Sequence, residues 1–119
     1  LDNLQLVTRD LVLVGNSSLE TLSGTYNLQS VGGLNFWNNN TLTSLLGLEN
    51  LQEVNLNIEI VSNSGLLSVE ELSGLTRVGG ALRVVDNEYL CNSNAEALLD
   101  QVESMDGVGS NIDIDNKDC

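Results

Sequence analysis

Apolar and polar positions in this chain alternate in two rhythms that take turns. Leu11 and Leu13, Leu34 and Phe36, Ile58 and Ile60, Leu82 and Val84, and Ile112 and Ile114 are apolar pairs spaced two apart. Period two is the pattern of a strand that buries one face. Asn follows the first member of the pair by five residues in four copies, at Asn16, Asn39, Asn63 and Asn87. Apolar residues then recur at a spacing of three: Leu19 and Leu22, then Leu42 and Leu45. The third copy carries Leu66, Val69 and Leu72. It reads as one three-residue step longer and should bulge outward while keeping register.

The same sentence is thus written four times, with a shortened fifth copy; the copies begin at Leu4, Leu28, Leu51, Leu75 and Val108. A repeat of about two dozen residues is the mark of a solenoid whose coils stack into one continuous core. The predicted fold is mainly β: a single domain over residues 1–119, a short right-handed β-helix or leucine-rich solenoid of about five coils, with one C-terminal capping α-helix. Stacked asparagines would form a ladder at one corner, bonding backbone groups of their own or a neighbouring turn. Pro is absent, so the corners rest on Gly, Asn and Ser. Gly24, Gly47 and Gly74 punctuate one corner, and Gly32-Gly33 and Gly79-Gly80 another, where positive φ is expected. Ser93-Asn94-Ala95-Glu96 has the form of a capping box. With Ala95, Leu98, Leu99 and Val102 on one face and Gly107 as a stop, it predicts a helix over residues 94–105.

Composition narrows the partners. Seventeen acidic residues against four basic ones give a net charge of −13, which repels phosphate backbones and anionic headgroups. Nucleic acid and the membrane surface are therefore poor partners, and no run is long enough for a transmembrane helix. The chain does not begin with Met and reads as a processed, excised or partial one. Cys91 and Cys119 fall at one corner of neighbouring coils, within disulfide reach; a bridge would indicate an oxidising compartment. Two reduced, buried thiols are the alternative.

At Leu42-Thr43-Ser44-Leu45, Gly47-Leu48-Glu49-Asn50-Leu51 and Val78-Gly79-Gly80 the repeat is similar to the receptor L-domain repeat. That is the leucine-rich fold of the ligand-binding lobes of insulin- and EGF-receptor ectodomains. The stand-alone versions in microbial and fungal cell-surface proteins are closest. The resemblance covers nearly the whole chain, with Thr8-Arg9-Asp10 and Asn55-Leu56-Asn57 standing where the family has Gly-Gly. It implies extracellular or cell-surface binding or adhesion, and no catalysis.

The chain has no His, which removes imidazole bases and His metal ligands. No cofactor is expected. A weaker enzyme reading would use cationic groups as β-helix lyases do, and only Arg77 and Arg83 are close candidates; Arg83 fits equally a charge ladder between Glu59 and Asp113. Asp113, Asp115, Asn116 and Asp118 resemble a run of Ca²⁺ oxygen ligands but lack the Gly and terminal Glu of an EF-hand; a solvated acidic edge is the other reading. Asn16-Ser17-Ser18 and Asn39-Asn40-Thr41 are formal glycosylation sequons whose asparagines are also ladder residues.

Residues between and after the inward pairs should point outward in two columns: Val12, Asn35, Glu59, Arg83, Asp113, and Val14, Trp37, Val61, Val85, Asp115. Four stacked apolar residues with a Trp would form an exposed stripe of the size that marks a contact surface, unless the β-branched residues serve strand stacking alone. Two functions follow. In the first, the chain is a non-catalytic interaction, adhesion or structural module of a larger surface or filament protein. It would meet a protein partner or neighbouring domain through Val14, Trp37, Val61, Val85 and Asn35. In the second it binds carbohydrate, with Trp37 stacked on a sugar and Asn35, Asn38 and Asn40 nearby.

Overall fold

The computed structural model describes residues 6, 7, 9–16, 18–22 and 25–119. Each copy contributes one short and one longer strand. The short strands are β1 (Leu6–Val7), β3 (Ser30–Val31), β5 (Glu53–Val54), β7 (Arg77–Val78) and β9 (Gly107–Val108). The longer ones are β2 (Leu11–Val14), β4 (Leu34–Trp37), β6 (Ile58–Val61), β8 (Leu82–Val85) and β10 (Ile112–Asp115). They form two parallel five-stranded sheets, β1-β3-β5-β7-β9 and β10-β8-β6-β4-β2. Every strand therefore pairs with its own equivalent one coil away.

Register follows the repeat residue by residue. Leu11, Leu34, Ile58, Leu82 and Ile112 lie side by side, as do Leu13, Phe36, Ile60, Val84 and Ile114. In the middle coils these columns are fully buried. A one-residue slip would turn each of them to solvent, which is why period two fixes the register.

After the ladder asparagine the chain turns once every three residues. Leu42 N donates to Asn39 O, Leu48 N to Leu45 O and Leu51 N to Leu48 O, each at 3.1–3.2 Å. In the next copy Leu66, Leu72 and Leu75 repeat the same bonds to Asn63, Val69 and Leu72. This corrects the expected extra step in the third copy. Leu48 and, in the first copy, the buried Thr25 occupy the position of Leu72. Thr25 was invisible to an apolar pattern; its hydroxyl donates to the carbonyls of Leu22 and Gly47. The one-residue difference in length lies instead between the sheets, where Asn55-Leu56-Asn57 spans what Gly32-Gly33 spans one coil earlier.

The solenoid makes about three full turns rather than five. The fourth copy has a helix in place of its far side, and the fifth contributes only its two strands. That helix, α1 (Asn92–Glu103), begins and ends two residues before the expected 94–105, and its N-cap Cys91 makes no side-chain capping bond. The capping box fails because the helix starts at Asn92, which puts Ser93 inside the first turn rather than at the N-cap. Ala95, Leu98 and Val102 face the core as expected.

The expected positive φ at the two Gly-Gly pairs is corrected. Gly47 has φ 117°, whereas Gly32, Gly33, Gly79 and Gly80 do not adopt positive φ, and Gly24 lies outside the described residues. Gly79 is needed for space: a Cβ there would run into the Asn55 carbonyl of the coil beneath. The positive-φ corner sits elsewhere, one residue before each ladder asparagine, at Gly15, Asn38, Ser62 and Asp86 with φ of 56–66°. Asn and Asp tolerate this conformation better than most residues.

Candidate functional site

The asparagine ladder forms as expected, and is longer. Asn39 donates its N–H and Nδ2 to Asn63 Oδ1, and Asn63 donates the same pair to Asn87 Oδ1, at 2.9–3.2 Å. Each Nδ2 also reaches back to a strand carbonyl of the previous coil, Leu13 O from Asn39 and Phe36 O from Asn63. Asn39, Asn63 and Asn87 are fully buried, and among the described residues every buried side-chain polar atom has a partner. The sequence reading missed two rungs. Asn87 donates to Asn116, and Asn116 to Asn92 at the start of α1. Asn116 follows Ile112 by four residues rather than five, because the fifth copy lacks the positive-φ corner residue; that shift hid it.

The helix closes the third copy with two further amides. Asn94 Oδ1 accepts from Val69 N at 2.8 Å, and Gln101 Nε2 donates to the carbonyls of Leu72 and Leu75 at 2.9 and 2.8 Å. These residues stand seven apart, two turns of one helix face. They meet the backbone groups that a further coil would meet. A groove lined by Leu67, Val69, Glu70, Asn94, Ala97 and Gln101 lies between α1 and this far side; its two amides are already committed to backbone.

Cys91 and Cys119 are joined, with Cα atoms 5.6 Å apart. The bridge sits beside the pairing of Cys91 with Lys117 and ties the last strand to the base of the helix. A disulfide suggests an oxidising environment, and among the described residues no helix is long and apolar enough to cross a membrane.

Both outward columns exist in the expected register, Val12-Asn35-Glu59-Arg83-Asp113 and Val14-Trp37-Val61-Val85-Asp115. Their exposure is the correction. Val14 is 58% exposed and Val12 53%, Trp37 is half-buried, and Val61 and Val85 are only 5% and 4% exposed. Val61 has Trp37 on one side and Val85 on the other, whereas among the described residues Val14 has a column neighbour on one side only. The expected four-residue stripe narrows to Val12, Val14 and the Trp37 indole, at the N-terminal end of the sheet.

The polar residues around Trp37 are largely engaged. Asn35 Nδ2 donates to Asp10 at 3.0 Å, and Asn40 Oδ1 accepts from Ser64 at 3.1 Å. Asn38 is exposed at its positive-φ corner. Arg83 lies between Glu59 and Asp113, at 3.9 and 3.6 Å, the charge ladder rather than a lone cation. Asp113 is thereby paired, Asn116 is in the ladder and Asp118 accepts from Asn92. Among the described residues no group of three metal-ligating side chains converges. Of the two sequon asparagines, Asn39 is buried with Nδ2 consumed, while Asn16 is exposed and donates Nδ2 to Asn39. Comparison with known proteins gives no match: no family model, no curated protein and no solved structure is similar to this chain.

Proposed function

We propose that this chain is a non-catalytic extracellular interaction or adhesion module of the receptor L-domain type, one unit of a larger surface or filament protein. The observation that carries the reading is the outer face of the longer-strand sheet. There the exposed Val12 and Val14 adjoin the half-buried Trp37 indole, on a surface where Asn35 is bonded to Asp10 and Arg83 lies between Glu59 and Asp113. An aromatic flanked by β-branched residues and rimmed by polar groups is the composition of a contact centre. The disulfide supports an oxidising location. The absence of His in the whole chain and the commitment of its buried amides to backbone leave little for catalysis to use.

The test is replacement of Trp37 by Ser. Because Trp37 is half-buried against Val61, the variant should lose about 2 kcal/mol of stability yet remain folded. Capture of a surface-protein partner, measured per folded molecule, should drop at least tenfold. Loss confined to a glycan panel would favour carbohydrate binding. Unchanged binding of both kinds would sink the outer-face reading.

A further inference from the structure

The two ends of the solenoid are unlike. At the C-terminal end the edge strand β10 reads Ile-Asp-Ile-Asp and exposes both carboxylates, a common guard against edge pairing. There the ladder also ends on Asn92, which takes both donors of Asn116. At the N-terminal end the edge strand β2 reads Leu-Val-Leu-Val, has no charge, and among the described residues pairs only with β4. Leu11 N and Gly15 N donate toward β4, so strand alternation turns the N–H groups of Val12 and Val14 to the free edge.

The ladder has a direction, and Asn16 stands at its unfinished end. Oδ1 of Asn39, Asn63, Asn87, Asn116 and Asn92 each accept an N–H and an Nδ2 from another ladder asparagine. Among the described residues nothing donates to Asn16 Oδ1. Its Nδ2 donates to Asn39 Oδ1 at 3.0 Å, but where Asn39 and Asn63 also reach a strand carbonyl of the previous coil, it meets Val14 O of its own strand at 3.4 Å. The vacant partner is therefore a strand followed by an asparagine, running parallel to β2.

The chain's own sequence names the occupant. Leu1-Asp2-Asn3-Leu4 repeats Leu48-Glu49-Asn50-Leu51, the segment by which the second coil hands over to the third. We infer that the N-terminal end is an internal interface of a longer solenoid, covered by a further coil of the same repeat carried on an upstream stretch of the same polypeptide. A second copy of this chain fits worse at either end. Two N-terminal ends would meet Asn16 Oδ1 to Asn16 Oδ1, acceptor against acceptor. The C-terminal end has already given its asparagine donors to Asn92 and would set Asp113 and Asp115 beside Val12 and Val14. The inference stands apart from the outer-face reading, since it concerns backbone and ladder groups at the edge rather than the Trp37 face.

The test compares the 119-residue chain with the same chain carrying a copy of residues 28–47 fused directly ahead of Leu1, which keeps the repeat in register. Amide hydrogen exchange is read at Val12 and Val14, with light scattering for the oligomeric state. In the parent these amides should exchange quickly and the protein should be a monomer. In the extended chain they should slow at least a hundredfold, and replacing the added ladder asparagine with Ala should reverse much of that. Three results would overturn the inference: β2 amides as slow as those of β4 in the monomeric parent, a parent dimer that protects them, or an added segment that stays unstructured and leaves them fast. A Trp37→Ser variant of the extended chain should keep the protection, so failure of the outer-face reading is seen separately.

Discussion

Asn116 donates both its backbone N–H, at 2.7 Å, and its Nδ2, at 3.3 Å, to Oδ1 of Asn92. The first residue of a helix thus supplies the acceptor that the asparagine of a sixth coil would have supplied. With Asn94 and Gln101 on the same helix serving the far side, α1 ends the solenoid by imitating the hydrogen-bonding groups of a coil without forming one. The apolar face of α1 covers the core beneath, and its three amides meet backbone that would otherwise be left unpaired.

The ladder makes Asn63 far more costly to remove than Asn16. Truncating Asn63 to Ala deletes its bonds to Phe36 O and Asn87 Oδ1 and removes the acceptor used by Asn39 N and Nδ2. Unpaired buried groups carry their full desolvation cost, so a loss of about 3–5 kcal/mol is expected by denaturant titration. Asn16→Ala, at the exposed end, should lose about 1 kcal/mol or less. Equal losses would mean that the ladder bonds contribute little beyond packing.

Gln101→Ala should loosen the helix cap without unfolding the coils. It strands the carbonyls of Leu72 and Leu75, which water can partly reach, for a cost of about 1–2 kcal/mol. Hydrogen exchange should accelerate in α1 more than in β4 or β6. Uniform acceleration along the chain would show that helix and solenoid open as one unit.

The disulfide closes a loop of 28 residues, for which chain-entropy arguments give roughly 3–4 kcal/mol. Cys91→Ser with Cys119→Ser should lower the melting temperature accordingly, and the native protein should resist alkylation until reduced. Ready alkylation of both thiols under native conditions would refute the bridge and with it the oxidising environment.

The charge ladder should matter little. Arg83 and its partners Glu59 and Asp113 are substantially exposed, with separations of 3.9 and 3.6 Å, and such pairs contribute about 0–1 kcal/mol. Arg83→Gln should shift stability by about 0.5 kcal/mol or less, and 0.5 M salt should not lower the stability of the parent. A loss of several kcal/mol would point to a buried role for the guanidinium.

The sequence by itself determined the coil. Period-two pairs, the asparagine five residues on and the steps of three are local and recur, so strand register, the ladder corner and both outward columns could be written down from the repeat alone. The disulfide followed because Cys91 and Cys119 occupy one corner of neighbouring coils. Tertiary structure decided how the repeat ends and what it leaves exposed. The choice of Asn92, Asn94 and Gln101 as stand-ins for a missing coil depends on where a helix docks, which no periodicity encodes. The burial of Val61 and Val85 in a column that points outward likewise depends on neighbours two dozen residues away on both sides. Val14, with the same side chain in the same column, is exposed and has such a neighbour on one side only among the described residues.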